Sequence, residues 1–232
     1  MNSAGTPRQD GAGGLQAVLF DMDGLLIDSE PLWFQAEAEV MAKLGGTWAE
    51  GDQKALLGGS LDRSVSYLLK RAERPVPPDT VAAWLLGGIT ARVRDHGVSV
   101  MPGARELVAE VAAAGVPYAL VTSSQRCFVD AVLRRTGLRF PVIVCAEDVS
   151  SRKPDPEPYL AAARRLGAEP ARCVALEDSA TGVASAEAAG CRVVAVPSLA
   201  PIEPRPGRAV ARSLLGIDLA WLRALCEQVA VD

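Results

Sequence analysis

Much of what this sequence lacks is informative. It holds one histidine, His96, in a polar and loop-like stretch, which argues against a cysteine nucleophile activated by a histidine. The cysteines, Cys127, Cys145, Cys173, Cys191 and Cys226, are odd in number and scattered, with no spacing suited to disulfides or zinc. They read as reduced core residues of a cytoplasmic protein. No apolar run is long enough to cross a bilayer, so no membrane partner is expected. There is no basic excess: 24 Lys and Arg against 28 Asp and Glu give a net charge of −4, which invites no nucleic acid. Internal repeats are absent. Residues 1–14 are polar and glycine-rich without the apolar middle of a signal peptide, and read as a flexible tail. Nothing in the composition compels a dimer, and a monomer is expected.

What is present is ample apolar material, 49% of 232 residues, enough for one large domain or a domain with a smaller insert. The chain is organised around residues 17–30. A short apolar run, Ala17 to Phe20, ends in Asp21, Asp23 and Gly24, the pattern of a buried strand closed by a turn. A parallel α/β sheet gathers its ligands at the carboxyl ends of its strands. Two adjacent carboxylates repel unless a proton or cation lies between them, and Mg2+ with its preference for oxygen suits the pair. One carboxylate can then attack phosphorus while the other moves protons. The same residues would also serve simply as turn formers.

After this stretch, helical patterns are expected over 32–44, 49–57, 61–72 and 79–95, with Ser29 capping the first. Residues 30–99 therefore read as an inserted all-helical domain. It is joined to a core of residues 15–29 and 100–232 by crossings near Asp28 and near Val100. From Pro102 the pattern alternates: helices over 103–114, 125–136, 157–166 and 181–189, strands over 118–121, 142–145, 173–176 and 193–196. The segment 197–208 is expected to be irregular, and a last helix spans 218–228. Alternation of this kind implies a doubly wound parallel sheet covered on both faces.

Polar residues recur where these strands end: Asp21 and Asp23, then Thr122 and Ser123, then Lys153, then Glu177 and Asp178. The acids would gather a cation. The hydroxyls, the lysine and free N–H groups at the helix start after Ser124 would bind an anion. That is equipment for metal-assisted phosphoryl transfer. Singly, each has a bland reading, as a helix cap or a solvated surface charge. Together, at successive strand ends and with complementary chemistry, they point to a site.

Phe20-Asp21-Met22-Asp23-Gly24, Val121-Thr122-Ser123, Lys153-Pro154-Asp155-Pro156 and Leu176-Glu177-Asp178-Ser179 with Gly182 resemble the four ordered motifs of the haloacid dehalogenase superfamily. The helical insert resembles the C1 cap of its β-phosphoglucomutase-like branch, and the first motif resembles sugar-phosphate phosphatases of the 2-deoxyglucose-6-phosphatase type. The resemblance implies a Mg2+-dependent phosphomonoester hydrolase of small phosphorylated metabolites, sugar or polyol phosphates, working through an aspartyl-phosphate. It makes Asp21 the nucleophile and a metal ligand. Asp23 becomes the acid and base, with its carbonyl on the metal. Thr122 and the Ser123 N–H become phosphate ligands, and Lys153 the neutralising cation. Asp178 becomes the second carboxylate ligand, and Glu177 a further ligand or an acid just behind. Glu30, Trp33, Gly59, Ser60 and Arg63 are the cap residues expected to choose the substrate.

Two alternatives stay open at this point. A β-phosphoglucomutase-type mutase has the same core motifs but grips a second phosphate with cap cations, where this chain has Trp33, Leu57 and Leu61. A non-catalytic phosphate-binding or phosphoacceptor protein also places an Asp, a hydroxyl and a Lys on a parallel sheet, without the helical insert.

Overall fold

The structure is a computed structural model and describes residues 14–56, 60–198 and 200–227. Of the expected tail, all but Gly14 lies outside these residues, as do Leu57 and Gly59.

Strand β1, Ala17–Phe20, is buried throughout because both faces of a central parallel strand are covered. Its side chains alternate. Val18 and Phe20 join one apolar cluster and Ala17 and Leu19 a second, on the opposite face of the sheet. The other strands are β4 (Tyr118–Val121), β5 (Val142–Val144), β6 (Cys173–Glu177), β7 (Arg192–Ala195) and β8 (Arg208–Val210), and the sheet order is β5-β4-β1-β6-β7-β8, parallel at every pairing. The chain leaves β1 toward β4 and β5, then crosses back to β6. The switch point thus falls beside β1, where such sheets place their ligands.

Between β1 and β4 lies a helical block: α1 (Glu30–Lys43), α2 (Glu50–Leu56), α3 (Leu61–Lys70) and α4 (Pro78–His96). It is entered and left through a small antiparallel ribbon, β2 (Ile27–Asp28) with β3 (Ser99–Val100). The remaining helices are α5 (Ala104–Ala113), α6 (Arg126–Thr136), α7 (Glu157–Leu166), α8 (Ala180–Ala188) and α9 (Leu219–Glu227). Ala36, Val40 and Leu85 of the block belong to the same apolar cluster as Phe20 and Phe128, so the block's core is continuous with one face of the sheet. On the other face, α7 and α8 pack through Ala161, Ala162 and Ala186, whose small side chains let helix and sheet approach closely.

Some expectations are corrected. His96 is the last residue of α4, not part of a loop. Cys127 is exposed, whereas Cys145, Cys173, Cys191 and Cys226 are buried; all are free thiols. The edge strand β8 begins only at Arg208, the last residue of the segment expected to be irregular, and a short 3-10 turn, Ala146–Asp148, follows β5. No helix among the described residues is long and apolar enough to cross a membrane.

Candidate active site

At the carboxyl end of β1 the chain makes a tight turn: Gly24 N–H donates to Ile27 O at 2.9 Å, and Leu26 and Ile27 N–H both donate to Met22 O. Gly24 sits at φ 81°, and a Cβ there would run into the Asp178 carboxylate. Glycine is therefore required twice over, for its backbone and for space. The turn leaves Asp21 buried at the strand end beside the ends of β4 and β6.

Lys153 reaches in from the loop between β5 and α7. Its Nζ lies 2.6 Å from Asp21 Oδ1, 2.6 Å from Glu177 Oε1 and 2.9 Å from Val121 O. Asp21 Oδ2 is buried with no hydrogen-bond partner. Asp23 accepts from Ser29 Oγ at 2.6 Å on one oxygen, and on the other from Ser124 Oγ at 2.8 Å and Thr122 Oγ1 at 3.5 Å. Asp178 accepts from Ser198 Oγ at 2.6 Å. Glu177 lies behind them, fully buried, and accepts from Lys153, from Tyr159 Oη at 2.5 Å and from Ser179 Oγ at 3.4 Å. A Cβ at Gly182 would collide with the Glu177 carboxylate, so the start of α8 must also be bare to admit it.

Burial pushes Asp21 well above the usual carboxylate range, against the pull of Lys153 and with help from Glu177 and Asp178. Burial and the neighbouring Glu177 push Asp178 up to about 7. Burial likewise raises Asp23, opposed by the hydroxyls of Ser29 and Ser124. Burial alone would lower Lys153, but Asp21 and Glu177 more than offset it and raise it. The cluster holds more negative charge than Lys153 balances. Oxygens of Asp21, Glu177 and Asp178 lie within 4.8 Å of one another. An all-oxygen, anionic donor set of this kind fits a hard divalent cation such as Mg2+.

Above this floor is a cavity. Asp21, Asp23, Thr122, Ser123, Lys153 and Asp178 line one side, and the helical block lines the other with Glu30, Trp33, Glu37, Ser60 and Ser64 among others. Glu30, Trp33 and Ser60, three of the expected cap residues, thus line this cavity. Arg63 is not among the lining residues; its guanidinium donates to Ala55 O at 2.7 Å. Ser29 is the residue before α1, yet its hydroxyl makes no cap bond and turns to Asp23 instead. Of the N–H groups at the start of α6, that of Arg126 donates to Glu147 at 3.0 Å, and just before the helix that of Ser124 donates to Thr122 Oγ1 at 3.0 Å. Ser124, Ser198, Tyr159 and Glu37 were not legible as site residues. Their partners lie far along the chain, and no local pattern marks them.

The family model described as haloacid dehalogenase-like hydrolase matches residues 18–196. The chain belongs to that family: it is an enzyme, a phosphatase of the haloacid dehalogenase class. Among its relatives, it is 36% identical to hexitol phosphatase B of Escherichia coli strain K12 over 198 residues, covering 83% of this chain and 86% of that one. It is also 36% identical to protein CbbY of Rhodobacter capsulatus over 197 residues, covering 79% and 86%. A crystal structure of CbbY from Rhodobacter sphaeroides in complex with xylulose-1,5-bisphosphate superposes with a TM-score of 0.80 at 28% identity, covering 90% of this chain and 99% of that one.

Proposed function

We propose that this enzyme is a Mg2+-dependent phosphomonoesterase acting on small sugar or polyol phosphates through an aspartyl-phosphate on Asp21. The observation that carries the reading is the division of labour in the Asp21 carboxylate: Oδ1 is held by Lys153, and buried Oδ2 has no partner. A nucleophile needs one oxygen fixed and the other available. The names of the relatives, a hexitol phosphatase and a CbbY, support the substrate class.

In this reading Asp21, Asp178 and the Asp23 carbonyl hold the metal, with Glu177 anchoring Lys153 from behind. When bound, Mg2+ neutralises phosphoryl charge so that an anionic carboxylate and an anionic ester can meet. Asp21 Oδ2 attacks phosphorus, and the ester P–O bond breaks. Protonated Asp23, whose pKa burial raises above the usual carboxylate value, gives its proton to the departing alkoxide. The Asp23 carboxylate then takes a proton from water, whose oxygen attacks phosphorus, and the P–O bond to Asp21 breaks to release inorganic phosphate. Ser29 and Ser124 orient Asp23 for both steps. Thr122, Ser123 and Lys153 hold the phosphoryl oxygens. The helical block, residues 30–99, serves as a cap over a core of 15–29 and 100–232 and shields the site from bulk solvent while leaving the hydrolytic water in place.

The test is phosphate release from hexitol phosphates, 2-deoxyglucose 6-phosphate, glycerol phosphate, nucleoside monophosphates and phosphoglycolate, with Mg2+ and with EDTA. Release from sugar or polyol phosphates that disappears with EDTA is expected. Release that survives metal removal would overturn the metal assignment.

A further inference from the structure

The helical wall of the cavity contains a carboxylate that no step above uses. Glu37 lies on α1, is 4% exposed, and lines the cavity. Its Oε1 accepts from Ser64 Oγ of α3 at 2.8 Å, and no other hydrogen bond to it occurs among the described residues. Burying a carboxylate with so few partners is costly unless another donor arrives. Burial raises Glu37 to about 7, against the Ser64 hydrogen bond and with help from Glu30. Glu30, Ser29, Ser60 and Ser64 share this wall, and Trp33 presents an aromatic side chain there. Among the described lining residues the sole cation is Lys153, already engaged by Asp21 and Glu177 on the far side. Arg63, the basic side chain expected here, is turned to Ala55 O.

Carboxylates and hydroxyls without a cation repel a second phosphate and accept hydrogen bonds from alcohol groups. We infer that Glu37, held by Ser64, recognises hydroxyls at the end of the substrate remote from the phosphate, so that the enzyme selects polyhydroxylated monophosphates and rejects bisphosphates. This inference rests on the phosphatase reading and names the substrate end that the core motifs do not. It contrasts with the bisphosphate held by the CbbY structure from Rhodobacter sphaeroides.

The test compares kcat/KM for sorbitol 6-phosphate, its bisphosphate and n-hexyl phosphate in the presence of Mg2+, in the native enzyme and in Glu37→Gln and Ser64→Ala. The native enzyme should prefer sorbitol 6-phosphate to each of the others by about tenfold or more, the worth of one well-placed hydrogen bond to a charged group. Glu37→Gln should narrow the preference over hexyl phosphate several-fold, mainly through KM, and relax the rejection of the bisphosphate. Ser64→Ala, which removes only the Oγ donor, guards against misfolding of the first variant and should shift both ratios the same way. If the native enzyme hydrolyses all three alike, or both variants keep its ratios within twofold, the inference falls while the phosphatase reading stands. No release from any ester would overturn the phosphatase reading, and the inference with it.

Discussion

The two walls of the cavity are built differently. On the sheet side, Asp21, Asp23, Glu177 and Asp178 crowd around Lys153, each tied to partners from other elements, and the glycines at positions 24 and 182 make room for them. On the helical side, Ser64 donates to Glu37 and Ser29 reaches across to Asp23, and no cation of that side lines the cavity among the described residues. The first wall is over-determined, as a site that stabilises one transition state must be. The second, in the reading proposed above, chooses among substrates.

Substitutions on the two walls should therefore differ in size and kind. The largest effect is expected for Asp21→Asn, which removes the attacking oxyanion at nearly constant volume; kcat should fall by about 10⁴-fold or more with the circular dichroism spectrum unchanged. Appreciable turnover by this variant would show that the sheet wall lacks the nucleophile assigned to it. Next comes Gly24→Ala, which must occupy φ 81° and displace the Asp178 carboxylate. It should cost about 1–2 kcal/mol of stability and raise the Mg2+ concentration needed for half-maximal rate, both measurable by urea titration and metal titration.

On the helical wall the effect should be one of pH. Glu37 has its pKa raised from 4.5 to about 7 in the folded state. Between these values the folded protein keeps a proton that the unfolded chain releases. Its contribution is therefore complete below pH 4.5 and declines as pH rises through about 7. Across that window the loss amounts to roughly 3 kcal/mol at most, at about 1.4 kcal/mol per unit of pKa shift. Glu37→Gln should remove this part, leaving stability less dependent on pH between 4.5 and about 7 than in the native protein. Parallel curves for the two would contradict the burial of Glu37. The smallest effect is expected where the walls touch through solvent. Arg152 Nη1 lies 2.8 Å from Asp62 Oδ2 of α3, with the side chains 35% and 75% exposed. Asp62→Asn should change stability by less than about 0.5 kcal/mol, a shift in Tm of about 2 °C or less by calorimetry.

The sheet wall was legible in the sequence because its acids follow short apolar runs at strand ends, and the alternation of strands with helices implied a parallel sheet; the strand order itself comes from the structure. The helical wall was less so. Ser29 satisfies the rule for a helix cap, and that local explanation hid its bond to Asp23. Glu37 sits in an alternating Glu-Ala-Glu stretch that reads as a solvated helix face, and only the packing of α3 buries it. Tyr159 and Ser198 meet Glu177 and Asp178 through the tertiary fold alone. The ribbon of β2 and β3, two residues a strand, is too short to show any period.

Helix α1 has one more property, and it concerns length. Ser29, which touches Asp23, stands just before the helix, and Glu37 lies two turns further along it. At about 1.5 Å per residue, positions 29 and 37 are separated by roughly 12 Å along the axis. One rigid rod thus carries a mark at the reacting end of the cavity and another at the far end. On the inference drawn above, a substrate whose phosphate sits against Asp21 is measured by this rod. A three-carbon ester would then fall short of the second mark, and a longer hydroxylated chain would reach it. The helix that walls the site would in that case also gauge what enters it.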